Sequence, residues 1–204
     1  MMRTLVLPTD APTVLGPPQG RWTYADWEGL PDNGQIYEVI QGVLYMTTAP
    51  SNFHQWIILS LVQHLALPAK LQGLGYAFTA PIGLLIPGCD PVQPDFVFVR
   101  QANAGIIRDR RIRGVPDLII EILSPNNVIY DTQVKLRAYA HAGVPEYAIV
   151  DPMTRSLAYY RLESVGRYAG AETFDEQAQL SFACLPELNL VVADLFAGAP
   201  DTTV

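Results

Sequence analysis

Four polar residues interrupt stretches that are otherwise apolar: Glu38 in YEVIQG, Asp95 in QPDFVFVR, Glu121 in PDLIIEIL and Lys135 in the segment that follows. A carboxylate inside an apolar strand is costly to bury without a partner. Asp95 starts one strand-like run and Glu121 stands near the end of the next. If those runs are antiparallel neighbours, the two acids meet at one edge of a sheet. Two carboxylates a few ångströms apart cannot both ionise cheaply. A divalent cation resolves the conflict, and Mg²⁺ prefers such hard oxygen ligands. Held there, it activates water and neutralises charge developing on a phosphate.

Each residue also has a plainer reading. Asp95 can be a turn acid that initiates a strand, and Glu121 a salt-bridged or solvent-edge acid. Lys135 stands four residues after Asp131, the spacing of an ordinary helix ion pair worth about 0.3–0.5 kcal/mol. Its alternative role is a cation aimed from the helix at the carboxylate edge. His54 opens a helix beside Ser51 and Asn52, where a histidine is more often a cap or surface residue than a catalyst. Acid, acid and lysine together are more specific than any one of them.

The elements that must position these residues are legible in outline. Residues 1–20 hold four prolines without periodicity and read as an extended arm. Thr23 caps a short helix, and Pro31-Asp32-Asn33-Gly34 is turn chemistry. IYEVIQGVLYMTT reads as a hairpin around Gln41-Gly42. Residues 51–71 read as a helix with Ile58, Leu61, Val62 and Leu65 on one face, stopped by Gly73 and Gly75. TAPIGLLI, PDFVFVR and PDLIIEIL read as three strands, the last two continuous enough to be covered on both faces. The arginine-rich stretch falls in the hairpin between those two. A second helix over 128–142 ends at Gly143, EYAIVD is a further strand, and a β-rich tail closes the chain.

Composition removes several classes. Half of the 204 residues are apolar and the net charge is −7. Affinity for a phosphate backbone comes largely from Lys and Arg, so nucleic-acid binding must rest on a local patch. The candidate is Arg108, Arg110, Arg111 and Arg113, with a solvated loop as the plainer reading. Two distant cysteines give no disulfide framework, and the three histidines lack zinc-ligand spacing. G-x-S-x-G, the P-loop and G-x-G-x-x-G are absent from the chain. The N-terminal stretch has no apolar run suited to a signal peptide, and no run approaches the roughly 20 residues of a membrane span. The expectation is a cytoplasmic protein.

QPDFVFV, PDLIIEILSPNN, D-x-x-x-K and YAHAGVPEYAIVDP resemble the Uma-two-type restriction endonuclease family of the PD-(D/E)XK nuclease superfamily. YEVIQGVLYMTTAPSNFH and LPELNLVVADLF extend the resemblance over about residues 22–197. It implies an α/β (α+β) fold, a restriction-endonuclease-like mixed β-sheet flanked by helices. An N-terminal hairpin precedes this sheet and a β-rich tail follows it, in one domain over 21–204. Asp95 matches the acid of the PD motif and Glu121 that of the (D/E)-x-K motif. Leu123 stands where the motif lysine belongs, and Lys135 on the next helix matches its replacement. Glu38 matches an upstream acid that completes the metal shell. His54 matches a recurrent histidine without an assigned role.

The expected activity is Mg²⁺-dependent hydrolysis of DNA phosphodiesters, with Mn²⁺ able to substitute. Asp95, Glu121 and Glu38 would hold the metal, and Lys135 would position water or stabilise charge. Double-strand cleavage often uses two sites, which raises a homodimer as an expectation. The rival is a non-catalytic binding or assembly module on the same fold, favoured by the acidic charge.

Overall fold

The computed structural model describes residues 14–31, 35–47, 50–124 and 128–200. Residues 1–13 of the arm, residues 32–34 of the expected turn and residues 125–127 after the Glu121 strand lie outside the described residues. Residues 14–20 dock on the first hairpin: Gln19 exchanges hydrogen bonds with the Leu44 backbone (3.1 and 2.7 Å).

Helix α1 (Tyr24–Glu28) is capped reciprocally by Thr23 and Asp26. Strands β1 (Ile36–Ile40) and β2 (Val43–Thr47) form the expected hairpin. The Ser51 hydroxyl accepts from His54 N and starts α2 (Asn52–Leu61). The helix runs through a π turn, Val62–Ala66, into α3 (Leu67–Leu71). Pro68 has no N–H to give the turn behind it, and the wider turn just before it absorbs that loss.

Next come β3 (Gly75–Thr79), β4 (Leu84–Ile86), β5 (Cys89–Val92), β6 (Phe96–Arg100), β7 (Ile112–Arg113) and β8 (Leu118–Ile122). A second π turn, Tyr130–Lys135, leads into α4 (Leu136–Ala142), which Gly143 ends at φ 84°. The remainder is β9 (Glu146–Asp151), β10 (Ser156–Ser164), β11 (Arg167–Tyr168), β12 (Glu172–Phe174), β13 (Gln179–Leu180) and β14 (Leu190–Val191).

The strands form a seven-stranded sheet, β11-β10-β9-β8-β6-β3 with β12 on β10, a five-stranded sheet, β2-β1-β5-β4-β7, and a two-stranded β13-β14 ribbon. In the larger sheet β6 is antiparallel to β8, which is parallel to β9 through the 128–142 helix. Period-two alternation divides the side chains of this sheet between two cores. Phe96, Phe98, Ile120, Ile122 and Val150 face α2 and the tail. Val97, Val99, Ile119, Tyr147 and Ile149 face the smaller sheet and α4. Glu121 shares the second face with Ile119, two residues back along β8.

Three expectations are corrected. TAPIGLLI is not one strand: β3 ends at Thr79 and β4, beyond Pro81 and Gly83, belongs to the other sheet. The arginine-rich stretch is not the tip of a simple β6–β8 hairpin, because β7 crosses to pair with β4. Gly75 does not stop the helix, a task left to Gly73 (φ 68°). It opens β3, where a Cβ would fall 2.2 Å from the Val99 carbonyl oxygen. Among the described residues no helix is long and apolar enough to cross a membrane.

Candidate active site

The β6–β8 register sets Phe96 opposite Ile120, so Asp95 and Glu121 meet at one end of the strand pair. Asp95 Oδ2 accepts from Ile122 N at 2.8 Å, and Glu121 Oε2 accepts from Asp95 N at 3.3 Å. Lys135 Nζ donates to Glu121 Oε1 at 2.9 Å and lies 3.4 Å from Glu38 Oε1 and 3.6 Å from Asp131 Oδ1. Both readings of Lys135 therefore hold in space: it pairs with Asp131 and it reaches the carboxylate edge. His54 is buried, with Nε2 3.0 Å from Asp95 Oδ2. The surface or cap reading of that side chain is corrected, since the N-cap is Ser51 and the imidazole turns inward.

All five sequence-predicted residues thus meet in one cluster. Three participants were missed, and a fourth, Asp131, was expected only as the helix ion-pair partner of Lys135. Asp131 is 5% exposed and lies within the charge cluster. Tyr130 donates its hydroxyl to Glu38 Oε2 (3.0 Å), and Tyr139 donates to Glu121 Oε1 (2.9 Å). The Gln93 backbone N–H donates to Glu38 Oε1 (2.6 Å). The available signal was spacing: Tyr130, Asp131, Lys135 and Tyr139 recur at helical intervals, but tyrosines on an apolar helix read first as packing.

The electrostatics follow from crowding. Burial pushes the Glu121 carboxyl well above the usual carboxylate range, and the charges of Asp95, Asp131 and Glu38 push it further, against the pull of Lys135. Burial likewise raises Asp131 to about 6. Burial alone would push the Lys135 ammonium down, but Glu121, Glu38, Asp131 and Asp95 outweigh it and hold the group charged. Four carboxylates face one ammonium.

Among the described residues no group of three His, Cys, Asp or Glu side chains forms a ready ion cage. Lys135 instead bridges Glu38, Glu121 and Asp131. The donor set nevertheless fits a hard divalent cation. Carboxylates exceed cations, Asp95 Oδ1 has no donor among the described residues, and the Asp95 side chain is the more open of the strand pair at 17% exposure against 2% for Glu121.

A mixed sheet with two acids at a strand edge and a lysine beside them defines a restriction-endonuclease-like domain. The family model described as "Uma2: Putative restriction endonuclease" matches residues 23–193, and the chain belongs to that family. Its fold is similar to a crystal structure described as "a putative nuclease belonging to DUF820" from Anabaena variabilis. The TM-score is 0.72 at 22% identity, covering 85% of this chain and 97% of that one. No curated protein matches the sequence.

Proposed function

We propose that the chain is a metal-dependent endonuclease that hydrolyses DNA phosphodiester bonds. The observation that carries this reading is the meeting of Asp95 and Glu121 across β6–β8 with Lys135 Nζ 2.9 Å from Glu121. The lysine arrives there from a helix although Leu123 occupies the strand position. Asp95 and Glu121 would hold Mg²⁺, or Mn²⁺ in its place, with Glu38 assisting. When bound, such an ion supplies Lewis-acid stabilisation and a more acidic water.

The chain's own groups do the positioning. Ile122 N and His54 fix Asp95 through Oδ2, which leaves Oδ1 without a donor among the described residues. Tyr139 and Lys135 fix Glu121 through Oε1. Tyr130 and Gln93 N fix Glu38. Lys135 supplies the local positive charge that orients water or counters the charge building on the phosphate. The free, buried Cys89 and Cys184 suit a reducing, cytoplasmic setting. Cleavage of both strands calls for a second site, so a homodimer belongs to the same reading, with residues 21–204 as its domain.

One observation favours a non-catalytic module: Lys135 already serves three carboxylates, as a structural ion network would. Glu121→Gln separates the two readings. It should abolish Mg²⁺- or Mn²⁺-dependent cleavage of plasmid DNA while leaving the circular dichroism spectrum unchanged. Undiminished metal-dependent cleavage by that variant would sink the site assignment. Calorimetric metal binding that is the same in wild type and Asp95→Ala would support the module instead.

A further inference from the structure

The acid cluster lies on one face of the smaller sheet, and an arginine cluster lies on the other. Ile112 on β7 is 1% exposed and belongs to the core that contains Ile40 and Cys89. Alternation along the strand therefore sends Arg111 and Arg113 outward. On β1 the same alternation sends Glu38 inward and Tyr37 outward, where Tyr37 packs with Trp22 and Trp27. Arg108 N donates to Arg111 O at 3.0 Å and closes a tight turn that presents Arg108 and Arg110 beside them.

Arg111 is built in rather than loosely placed. Its guanidinium lies over the Trp27 ring, 5.0 Å from the centroid. Its stem runs against bare Gly83, where a Cβ would fall 2.3 Å from Arg111 Cδ. Nη1 donates to Arg110 O at 2.7 Å, while Nε is buried with no acceptor among the described residues. Arg113 lies over Tyr24 at 5.7 Å. Trp27 in turn donates Nε1–H to the Tyr37 carbonyl at 2.8 Å, one residue from Glu38.

The four arginines line a cavity of about 270 Å³ together with Tyr24. Glu28 and Asp109 also line it, so positive charge leads by two. Neither acid lies within ion-pair distance of these arginines, and Glu28 is held by the Tyr24 hydroxyl (3.1 Å). By contrast Arg155 in the β9–β10 turn, Arg161 on β10 and Arg167 on β11 are each paired with a glutamate. The 108–113 turn thus carries four arginines with no carboxylate among the described residues within ion-pair distance. In the sheet order β1-β5-β4-β7 the arginines stand three strands from Glu38, roughly 14 Å at ordinary strand spacing. An extended polyanion is long enough to span that distance and turn the edge of the sheet.

We propose that the 108–113 hairpin, braced by Trp27 and Tyr24, is a clamp for the phosphate backbone of a nucleic-acid strand that extends beyond the acid cluster. It rests on the nuclease reading and adds the surface that lets an acidic protein hold its substrate. Arg108, Arg110 and Arg113 are the exposed contacts; Arg111 is the braced one.

The test compares wild type with Arg108→Ala/Arg110→Ala/Arg113→Ala, all surface positions, by anisotropy of a labelled duplex of about 30 base pairs. Ca²⁺ replaces Mg²⁺, and salt runs from about 50 to 200 mM. Each lost phosphate contact should lower the slope of log affinity against log salt by about 0.9, so the triple variant should lose roughly two to three. Cleavage in Mg²⁺ and Mn²⁺ is measured separately. A wild type that cleaves, with a slope equal to the variant's, overturns the clamp and leaves the nuclease reading standing. Loss of slope in the variant with no cleavage by wild type overturns the nuclease reading alone. Equal competition by millimolar inorganic phosphate, or no duplex binding by wild type, overturns the clamp.

Discussion

Replacing Asp131 with asparagine separates a crowded site from an ordinary helix ion pair. In the folded chain this carboxyl is raised from 3.8 to about 6, first by burial and then by Asp95 and Glu38, despite Lys135 at 3.6 Å. The folded protein therefore binds a proton that the unfolded chain has already released between those two values. The contribution of this carboxyl to stability is greatest below about pH 4 and falls as pH rises through about 6. A displacement of about two units corresponds to roughly 3 kcal/mol at neutral pH. Asp131→Asn removes that cost and keeps the side-chain shape. The variant should be more stable than wild type at pH 7.5 by up to about 3 kcal/mol, or about 6–12 °C in Tm for a chain of this size. The gain should shrink towards zero near pH 4. Urea unfolding at stepped pH in EDTA measures it, since chelation removes any stabilisation by metal. A variant less stable than wild type by the same amount at every pH would show that Asp131 is a simple stabilising partner, and the crowding argument would fail.

Two further outcomes follow from groups outside the site. Glu146 is buried and accepts from Tyr159 OH, Ala183 N (2.7 Å) and Cys184 N (2.6 Å), pinning the tail to β9. Glu146→Ala strands those three donors and should cost at least about 3 kcal/mol at 1–3 kcal/mol per unsatisfied group, with faster hydrogen exchange at Ala183 and Cys184. The Cys89 thiol is buried and pushed up to about 12 by burial and by Glu38 and Asp90, and Cys184 is raised in the same direction. Thiol labelling at pH 8 should be slow in the native protein and complete in urea; rapid native labelling would contradict the burial of both.

The strand-borne acids were legible because each breaks a local rule: Asp95 follows a proline at a strand start, and Glu121 sits among isoleucines and leucines. Lys135 was legible only as a choice between two placements, and its ammonium lies beside both Asp131 and Glu121. The second sheet was hidden. After Thr79, TAPIGLLI is apolar, so hydropathy did not show that Pro81 and Gly83 divide it between sheets. CDPV carries an aspartate and a proline, residues depleted in strands, yet it forms β5 because β1 and β4 pair on either side. His54 was misplaced because the cap role, which Ser51 fills, says nothing about where the imidazole turns. Tyr130 and Tyr139 were passed over because a buried tyrosine looks apolar until the partner of its hydroxyl is known.

Carrying the cation on the crossover helix has a consequence for inheritance. Leu123, at the position a strand lysine would hold, is free to pack in the core between the sheets and to pair its N–H with Val150 O at 2.9 Å. The acid and its cation then drift as separate units, coupled only by the length of the 128–142 segment. The π turn Tyr130–Lys135 holds one extra residue within that segment, so a single deletion there would turn the lysine away while leaving every strand motif intact. Descendants of such an event would keep both acids in the sequence and lose the Lys135–Glu121 contact. A pattern that demands acid and lysine on one strand would overlook chains that bring the two together in space and could not recognise those that no longer do.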